Sequence, residues 1–189
     1  GLESSIDLAL TTNGMRLSAM VAHLKDAGLD RVNISLDALD PTVAERMAGR
    51  PVLPERVLDA AENARDAGLG VKFNAVIQRG WNESEILPLA RMARERGFTL
   101  RFIEFMDVGT KNHWNRDKVV TGQELREQLH QLSPLRPLAI PFGAVAREYE
   151  YEDGRGTVGF IDSISAPFCG DCTRARVSAE GDLFTCLYS

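Results

Sequence analysis

The sequence predicts an α/β fold, a partial TIM-type (β/α) barrel truncated at its amino-terminal end, with a small irregular annex at its carboxyl-terminal end. Helical and extended segments alternate over the first hundred or so residues, and the extended segments are polar on one side. The alternation stops after residue 105, where short proline-containing segments begin. A complete eight-stranded barrel needs about 250 residues, so a chain of 189 residues predicts an incomplete one.

A repeated tetrapeptide marks the ends of the predicted helices. The sequence Asp-Ala-Gly-Leu at residues 26–29 recurs at residues 66–69, and a looser copy stands at residues 95–98. Each copy follows an amphipathic segment and precedes a β-rich one, and its glycine falls where a left-handed helix cap is expected. Pro41 and Pro54 suit the first turns of two further helices.

Four extended runs predict parallel strands, at residues 7–10, 31–36, 71–77 and 100–105. In these runs apolar residues alternate with polar ones such as Asn33, Ser35 and Lys72. A parallel strand covered on both faces is usually a continuous apolar run. We therefore predict that the polar face lines a cavity for a polar ligand, although any one strand alone could be an edge strand with a wet face. Glu104 has the wrong parity for this face and has no predicted role.

The second part of the sequence predicts a less regular region. Residues 106–119 read as a loop, and Thr121-Gly-Gln-Glu124 is a capping box that opens a helix near residues 122–131. Short strand-like runs follow, with a hairpin turn at Glu180-Gly181. We predict two regions, a partial barrel at residues 1–120 and a carboxyl-terminal region at residues 121–189.

Composition excludes several classes of function. The 27 acidic and 22 basic residues give a net charge of −5, and no aromatic and basic stripe is present, so a nucleic-acid partner is not expected. No apolar run approaches the length of a membrane span. Three cysteines cannot form a closed set of disulfides, which favours a reducing, cytoplasmic compartment.

The cysteines are spaced as metal ligands. Cys169, Cys172 and Cys186 read C-x2-C-x13-C. A structural zinc site needs a fourth ligand, for which His113 and His130 are candidates without finger-like spacing. Three thiolates instead suit an iron–sulfur cluster with one open iron. The simplest alternative is three ordinary cysteines.

Two arginines follow the cysteine pair. Arg174 and Arg176 would point to the same side of an extended segment. Arginine favours planar, bidentate contacts with phosphate, so beside a metal centre the pair indicates a phosphorylated ligand. Without the cysteines it would read as solvated surface.

The segment Phe168-Cys-Gly-Asp-Cys-Thr-Arg-Ala-Arg-Val-Ser-Ala-Glu-Gly181, with Thr185-Cys-Leu187, resembles the second cluster motif of a known family. This is the GTP 3′,8-cyclase family of radical S-adenosylmethionine (SAM) enzymes, which act in molybdenum cofactor biosynthesis. Further segments match it in order, at residues 10–14, 32–37, 71–74 and 101–106. The cysteine motif with its two arginines is specific, whereas segments such as residues 10–14 are shared with other radical SAM enzymes.

The resemblance implies an enzyme, a lyase with a radical SAM barrel and two [4Fe–4S] clusters. One cluster would bind SAM and cleave it to a 5′-deoxyadenosyl radical, which would abstract the ribose 3′-hydrogen of GTP before the sugar closes onto C8 of guanine. The other cluster would bind the guanine end of GTP. The implied partners are GTP, SAM and an electron donor whose identity stays open, and both a monomer and a homodimer remain possible.

The resemblance also assigns roles residue by residue, with no catalytic side chain among them. The implied ligands of the second cluster are Cys169, Cys172 and Cys186. The implied GTP contacts are Thr11, Lys72, Arg174, Ala175 and Arg176. The implied SAM contacts are Ser35 and Met106. Each of these residues alone has an ordinary structural explanation, and only their joint spacing favours the functional one.

The sequence also departs from the family. No cysteine precedes Cys169, so the C-x3-C-x2-C motif of the first cluster is absent, and Thr173 stands where asparagine is more usual. We therefore expect a fragment that could hold the second cluster and part of the GTP site but could not generate a radical by itself. Two alternatives stay open: a non-catalytic metal- or nucleotide-binding module, and a structural domain stabilised by zinc.

Overall fold

The computed structural model describes residues 6–108, 113–170 and 172–187. Its helices are α1 (Leu17–Asp26), α2 (Pro41–Ala48), α3 (Pro54–Asp66), α4 (Ile86–Arg96) and α5 (Gly122–Leu129). Its strands are β1 (Ala9–Thr12), β2 (Arg31–Ser35), β3 (Gly70–Ile77), β4 (Thr99–Glu104), β5 (Leu135–Pro137), β6 (Arg147–Tyr151), β7 (Thr157–Ile161), β8 (Arg176–Val177) and β9 (Leu183–Phe184). Two short 3₁₀ turns lie at Glu83–Glu85 and Arg116–Lys118.

Seven strands form one sheet in the order β1-β2-β3-β4-β7-β6-β5. The first five in this order are parallel, and β6 and β5 add an antiparallel edge. The prediction of a partial barrel is confirmed by this mostly parallel sheet with its intervening helices. Strand β1 begins two residues later than predicted, because the backbone N–H of Leu8 donates to the Asp30 carboxylate (2.8 Å) instead of joining the ladder.

One continuous hydrophobic core joins the helices to the sheet. It contains apolar side chains of α1, α3, α4 and α5 together with alternate residues of the central strands. Phe73 and Phe98, for example, make an edge-to-face contact with ring centroids 5.2 Å apart. Each large side chain buried in this way contributes about 1.5–3 kcal/mol. The helices therefore cover the apolar face of the parallel strands, as their alternation requires.

Several local predictions are confirmed. Gly28, Gly68 and Gly97 adopt positive φ angles of 92°, 78° and 71° at the ends of their helices. Thr121 and Glu124 form the predicted capping box at the start of α5. Strands β8 and β9 pair around the predicted turn at residues 180–181.

The sheet continues through both predicted regions, since β7 pairs with β4. The division at residue 120 stays a prediction. Among the described residues, no helix is both long enough and apolar enough to cross a membrane.

Candidate functional site

The face of the sheet opposite the core helices carries two rows of polar side chains. The strand register places Thr11, Asn33 and Lys72 in one row, and Ser35, Asn74 and Arg101 in the next. These side chains are half-buried or exposed, whereas the residues between them in β2, β3 and β4 are mostly buried in the core. The register thus brings together two predicted GTP contacts, Thr11 and Lys72, and sets the predicted SAM contact Ser35 beside them.

Glu148 of β6 connects the two cations of this face. Its Oε1 atom lies 3.2 Å from Arg101 Nη2 and 3.5 Å from Lys72 Nζ. Burial alone would raise the pKa of Glu148, but the hydrogen bond from Arg101 and the positive charges of Lys72 and Arg101 outweigh it and lower the pKa. Sequence reasoning missed Glu148, because only the pairing of β6 with β7 brings it to this face.

Three buried polar atoms on this face have no hydrogen-bond partner among the described residues. They are Asn33 Oδ1, Asn74 Oδ1 and Arg101 Nε. A buried polar atom left without a partner costs about 1–3 kcal/mol. Such a cost indicates that this face is completed by polar groups of a ligand or of further protein.

The carboxyl ends of the parallel strands form a second part of the candidate site. Ser35 is exposed at the end of β2 and lines a small cavity of about 90 Å³ together with Asn13 and Asp37. Met106 lies two residues beyond the end of β4 and is half-buried. In β/α barrels this edge is where ligands and catalytic groups are held.

A buried network fixes the backbone of this edge. Asp37 accepts a hydrogen bond from the backbone N–H of Val76 (2.8 Å), and burial raises its pKa although this bond opposes the shift. The Asn82 side chain, which is fully buried, donates to the carbonyls of Asp37 and Val76 at 2.8 Å each. Glu85 accepts from the backbone N–H of Leu39 at 2.6 Å. Sequence reasoning gave Asn82 and Glu85 no role, since neither belongs to a strand.

Glu104 ties the start of the cysteine-bearing segment to the sheet. Its carboxylate accepts hydrogen bonds from the backbone N–H groups of Gly122 (2.8 Å), Ile164 (2.7 Å) and Ser165 (2.8 Å), and from the Ser165 hydroxyl. Glu104 does not belong to the polar face, because it points to the helix-covered side of β4, where it is buried together with Phe102. It anchors the segment that leads from β7 to Cys169.

The cysteines lie in an exposed region, and none of the three is in a disulfide. The backbone N–H of Cys172 donates to the carbonyl of Cys169 at 3.3 Å, which closes a tight turn. Arg174 Nη2 lies 2.9 Å from Cys172 Sγ, and the Arg174 guanidinium stacks on Phe168 at 4.8 Å. Cysteine sulfur is a ligand of both iron–sulfur clusters and zinc. The donor set therefore fits a metal centre.

The structure does not bring the cysteines into a ligand shell. Within residues 6–108, 113–170 and 172–187, no three histidine, cysteine, aspartate or glutamate side chains are arranged to hold a metal ion. Arg174 and Arg176 are half-buried and Ala175 between them is exposed, as expected for an extended segment that directs both guanidinium groups to one side.

Comparison with known protein families accounts for nearly the whole chain. Residues 2–93 match the family model described as Radical SAM superfamily. Residues 98–189 match the model described as Molybdenum Cofactor Synthesis C.

Two curated relatives show the same similarity. A GTP 3′,8-cyclase of Xanthomonas axonopodis pv. citri (strain 306) is 48% identical over 190 residues, which cover 100% of this chain and 57% of the relative. A GTP 3′,8-cyclase of Synechococcus sp. (strain WH7803) is 48% identical over 196 residues, covering 97% of this chain and 56% of the relative. The chain thus spans little more than half the length of these relatives.

Solved structures support the fold. The alignment with the crystal structure of Streptococcus suis SuiB covers 67% of this chain and 30% of the SuiB chain, with a TM-score of 0.53 and 18% sequence identity. A radical SAM methyltransferase from Sphaerobacter thermophilus aligns with 66% of this chain and 36% of its own, at a TM-score of 0.50 and 16% identity. Together, the two family matches and the identity to curated relatives show that the chain combines a Radical SAM part with a Molybdenum Cofactor Synthesis C part, and that it is similar along its length to GTP 3′,8-cyclases.

Proposed function

We propose that this chain forms the GTP-binding part of a GTP 3′,8-cyclase, a radical SAM lyase that cyclises GTP in molybdenum cofactor biosynthesis. The observation that carries the proposal is the double row of polar side chains with its two cations and three unpartnered buried atoms. A nucleotide offers phosphates to the cations Lys72 and Arg101, and hydroxyl or amino donors to the amide oxygens of Asn33 and Asn74.

Each predicted ligand contact has a role in this proposal. Thr11 and Lys72 contact GTP from the polar face, and Arg174 and Arg176 hold its negative charge from the cysteine-bearing segment, with the backbone at Ala175 between them. Ser35 and Met106 contact SAM at the carboxyl edge of the sheet. In this proposal residues 1–120 form the wall of the barrel, and residues 121–189 form the cluster-binding region.

Cys169, Cys172 and Cys186 would hold a [4Fe–4S] cluster. With three protein ligands one iron would stay open, and the cluster would supply a Lewis-acid site for the guanine end of GTP. Arg174, which contacts Cys172 Sγ, would supply positive charge beside this cluster ligand. Three cysteines suffice for one cluster, so cleavage of SAM and turnover of GTP are proposed for the whole protein.

The test compares three variants after anaerobic reconstitution with iron and sulfide. Cys172→Ala should lose most of its bound iron and sulfide, because one thiolate ligand is removed. Arg174→Ala should keep the cluster but bind GTP about tenfold more weakly, as expected for the loss of a charge-assisted hydrogen bond. Arg56→Ala removes an exposed arginine from α3, on the helix-covered side, and should change neither quantity.

The outcomes separate the parts of the proposal. Full iron and sulfide in Cys172→Ala, or one equivalent of zinc in place of iron, would contradict the cluster. Unchanged GTP affinity in cluster-loaded Arg174→Ala would contradict the role of the arginine.

A further inference from the structure

We propose that Glu148 is a positioning residue, which holds Lys72 and Arg101 in place for the phosphate groups of the nucleotide, and that Gly159 provides the gap through which Arg101 reaches it. This inference rests on the proposed function and adds two residues that do not themselves contact GTP. It starts from a contact between strands that are not neighbours.

Arg101 of β4 and Glu148 of β6 are separated by β7. The register aligns Arg101 with Gly159 and Gly159 with Glu148, so the arginine side chain must pass over the glycine. A Cβ atom at position 159 would lie 3.0 Å from Arg101 Cγ and 3.5 Å from Ala146 Cβ. Because the first distance is shorter than ordinary contact, a Cβ atom at position 159 would push the Arg101 side chain aside by a few tenths of an ångström. The φ angle of Gly159 is not positive, so it is the close approach of Arg101, and not the backbone conformation, that favours glycine at this position.

The carboxylate of Glu148 determines where both cations point. Lys72 and Arg101 approach the same oxygen atom, Oε1. Without that negative charge two neighbouring positive groups would repel each other, and their long side chains would sample many rotamers. Ordering such a side chain on binding costs about 0.5–1.5 kcal/mol. If Glu148 holds both cations in place before the ligand arrives, this cost is smaller when a ligand binds to Lys72 and Arg101 together.

The surroundings of the pair distinguish it from an ordinary surface ion pair. The Arg101 and Lys72 side chains are only 22% and 30% exposed. Unpartnered amide oxygens flank them, because Asn33 is in register with Lys72, and Asn74 with Arg101. The two cations suit the phosphate groups of a ligand, and the amide oxygens of Asn33 and Asn74 suit its hydroxyl or amino groups. These are the chemical features of a nucleotide.

The chain contains a matched control on the same strand. Glu150 follows Glu148 by two residues on β6, and its side chain is equally exposed, at 35%. It pairs with Arg136, whose side chain is 67% exposed, at the sheet edge. Glu150→Ala therefore removes the same kind of group from the same strand without touching the two cations.

The experiment measures the affinity of the reconstituted chain for GTP and for guanosine, which lacks phosphates. We expect Glu148→Ala to bind GTP about tenfold more weakly and guanosine unchanged. Glu148→Asp should recover part of the loss, because it restores the charge. Glu150→Ala should stay within twofold of the wild type for both ligands. Gly159→Ala should also weaken GTP binding selectively, although it leaves the carboxylate in place.

Each result has one meaning. GTP binding that is equal or tighter in Glu148→Ala would overturn the positioning role and leave the proposed function intact. An equal loss of GTP and guanosine affinity would show a merely structural role and would also overturn it. Failure of the wild-type chain to bind GTP would overturn the proposed function, and this inference with it.

Discussion

The most informative stability prediction concerns Glu104, the buried carboxylate that holds the start of the cysteine-bearing segment. Glu104→Gln keeps the size of the side chain but replaces one oxygen by an amide NH2 group. In the protein Oε1 accepts from Gly122 N–H and the Ser165 hydroxyl, and Oε2 accepts from the N–H groups of Ile164 and Ser165. At the Oε2 position the new NH2 group would face two backbone N–H donors. At the Oε1 position it would face the N–H of Gly122 and the Ser165 hydroxyl, which can turn to accept. At least one hydrogen bond is therefore lost in either orientation.

The cost follows from these contacts. Hydrogen bonds to charged groups contribute about 1.5–3 kcal/mol each, and at least one is lost, either at the buried Gly122 or at the partly buried N–H groups of Ile164 and Ser165. We expect Glu104→Gln to lower the free energy of unfolding by about 1.5–3 kcal/mol. Urea unfolding followed by circular dichroism measures this quantity. With a slope of about 2 kcal/mol per molar urea, the midpoint should fall by about 1 M at unchanged slope.

A control and a refuting result are available for this prediction. Glu150→Gln changes a half-exposed glutamate in a surface ion pair and should cost less than about 1 kcal/mol. If Glu104→Gln were as stable as Glu150→Gln, the four hydrogen bonds would not be what anchors residues 162–165 to the sheet.

Three further substitutions test the local structure. Burial raises the pKa of Asp37, so above pH 3.8 the folded chain holds a proton that the unfolded chain releases, and the free energy of unfolding falls as the pH rises. Asp37→Asn should make this decline smaller. Unfolding measurements from pH 4 to 7 give the slope for both proteins. Thr121→Ala should lower the unfolding free energy by about 1 kcal/mol through loss of the α5 cap, and Thr121→Ser should restore it. Gly122→Ala should lower the unfolding free energy by about 1–3 kcal/mol, because its Cβ would lie 1.7 Å from Asp162 Oδ1; a midpoint equal to that of the wild type would contradict this packing.

The sequence predicted those features that depend on local order. The alternation of polar residues such as Asn33, Ser35 and Lys72 with apolar ones is visible within a single strand, and it predicted correctly which side of the strand is polar. Helix ends were equally predictable, since Gly68 and the capping box at Thr121 act within a few residues of their own position.

Other features depend on which distant segments meet. Glu104 has no local signal for its role, because its partners Ile164 and Ser165 lie some sixty residues further along the chain. The contact between Arg101 and Glu148 needs the order of three strands and a glycine in the middle one. The sequence signal for this contact is a glycine within one strand and an acidic residue on the neighbouring strand. It becomes informative once the register places the two residues opposite each other.

Electron paramagnetic resonance of the reduced chain after anaerobic reconstitution, recorded with and without GTP, tests whether the cysteines hold a cluster that GTP reaches. We expect the signal of a reduced [4Fe–4S] cluster and a change in that signal when GTP is added, because the open iron would gain a ligand. A chain that retains no iron and sulfide, or a cluster signal that saturating GTP leaves unchanged, would contradict this expectation.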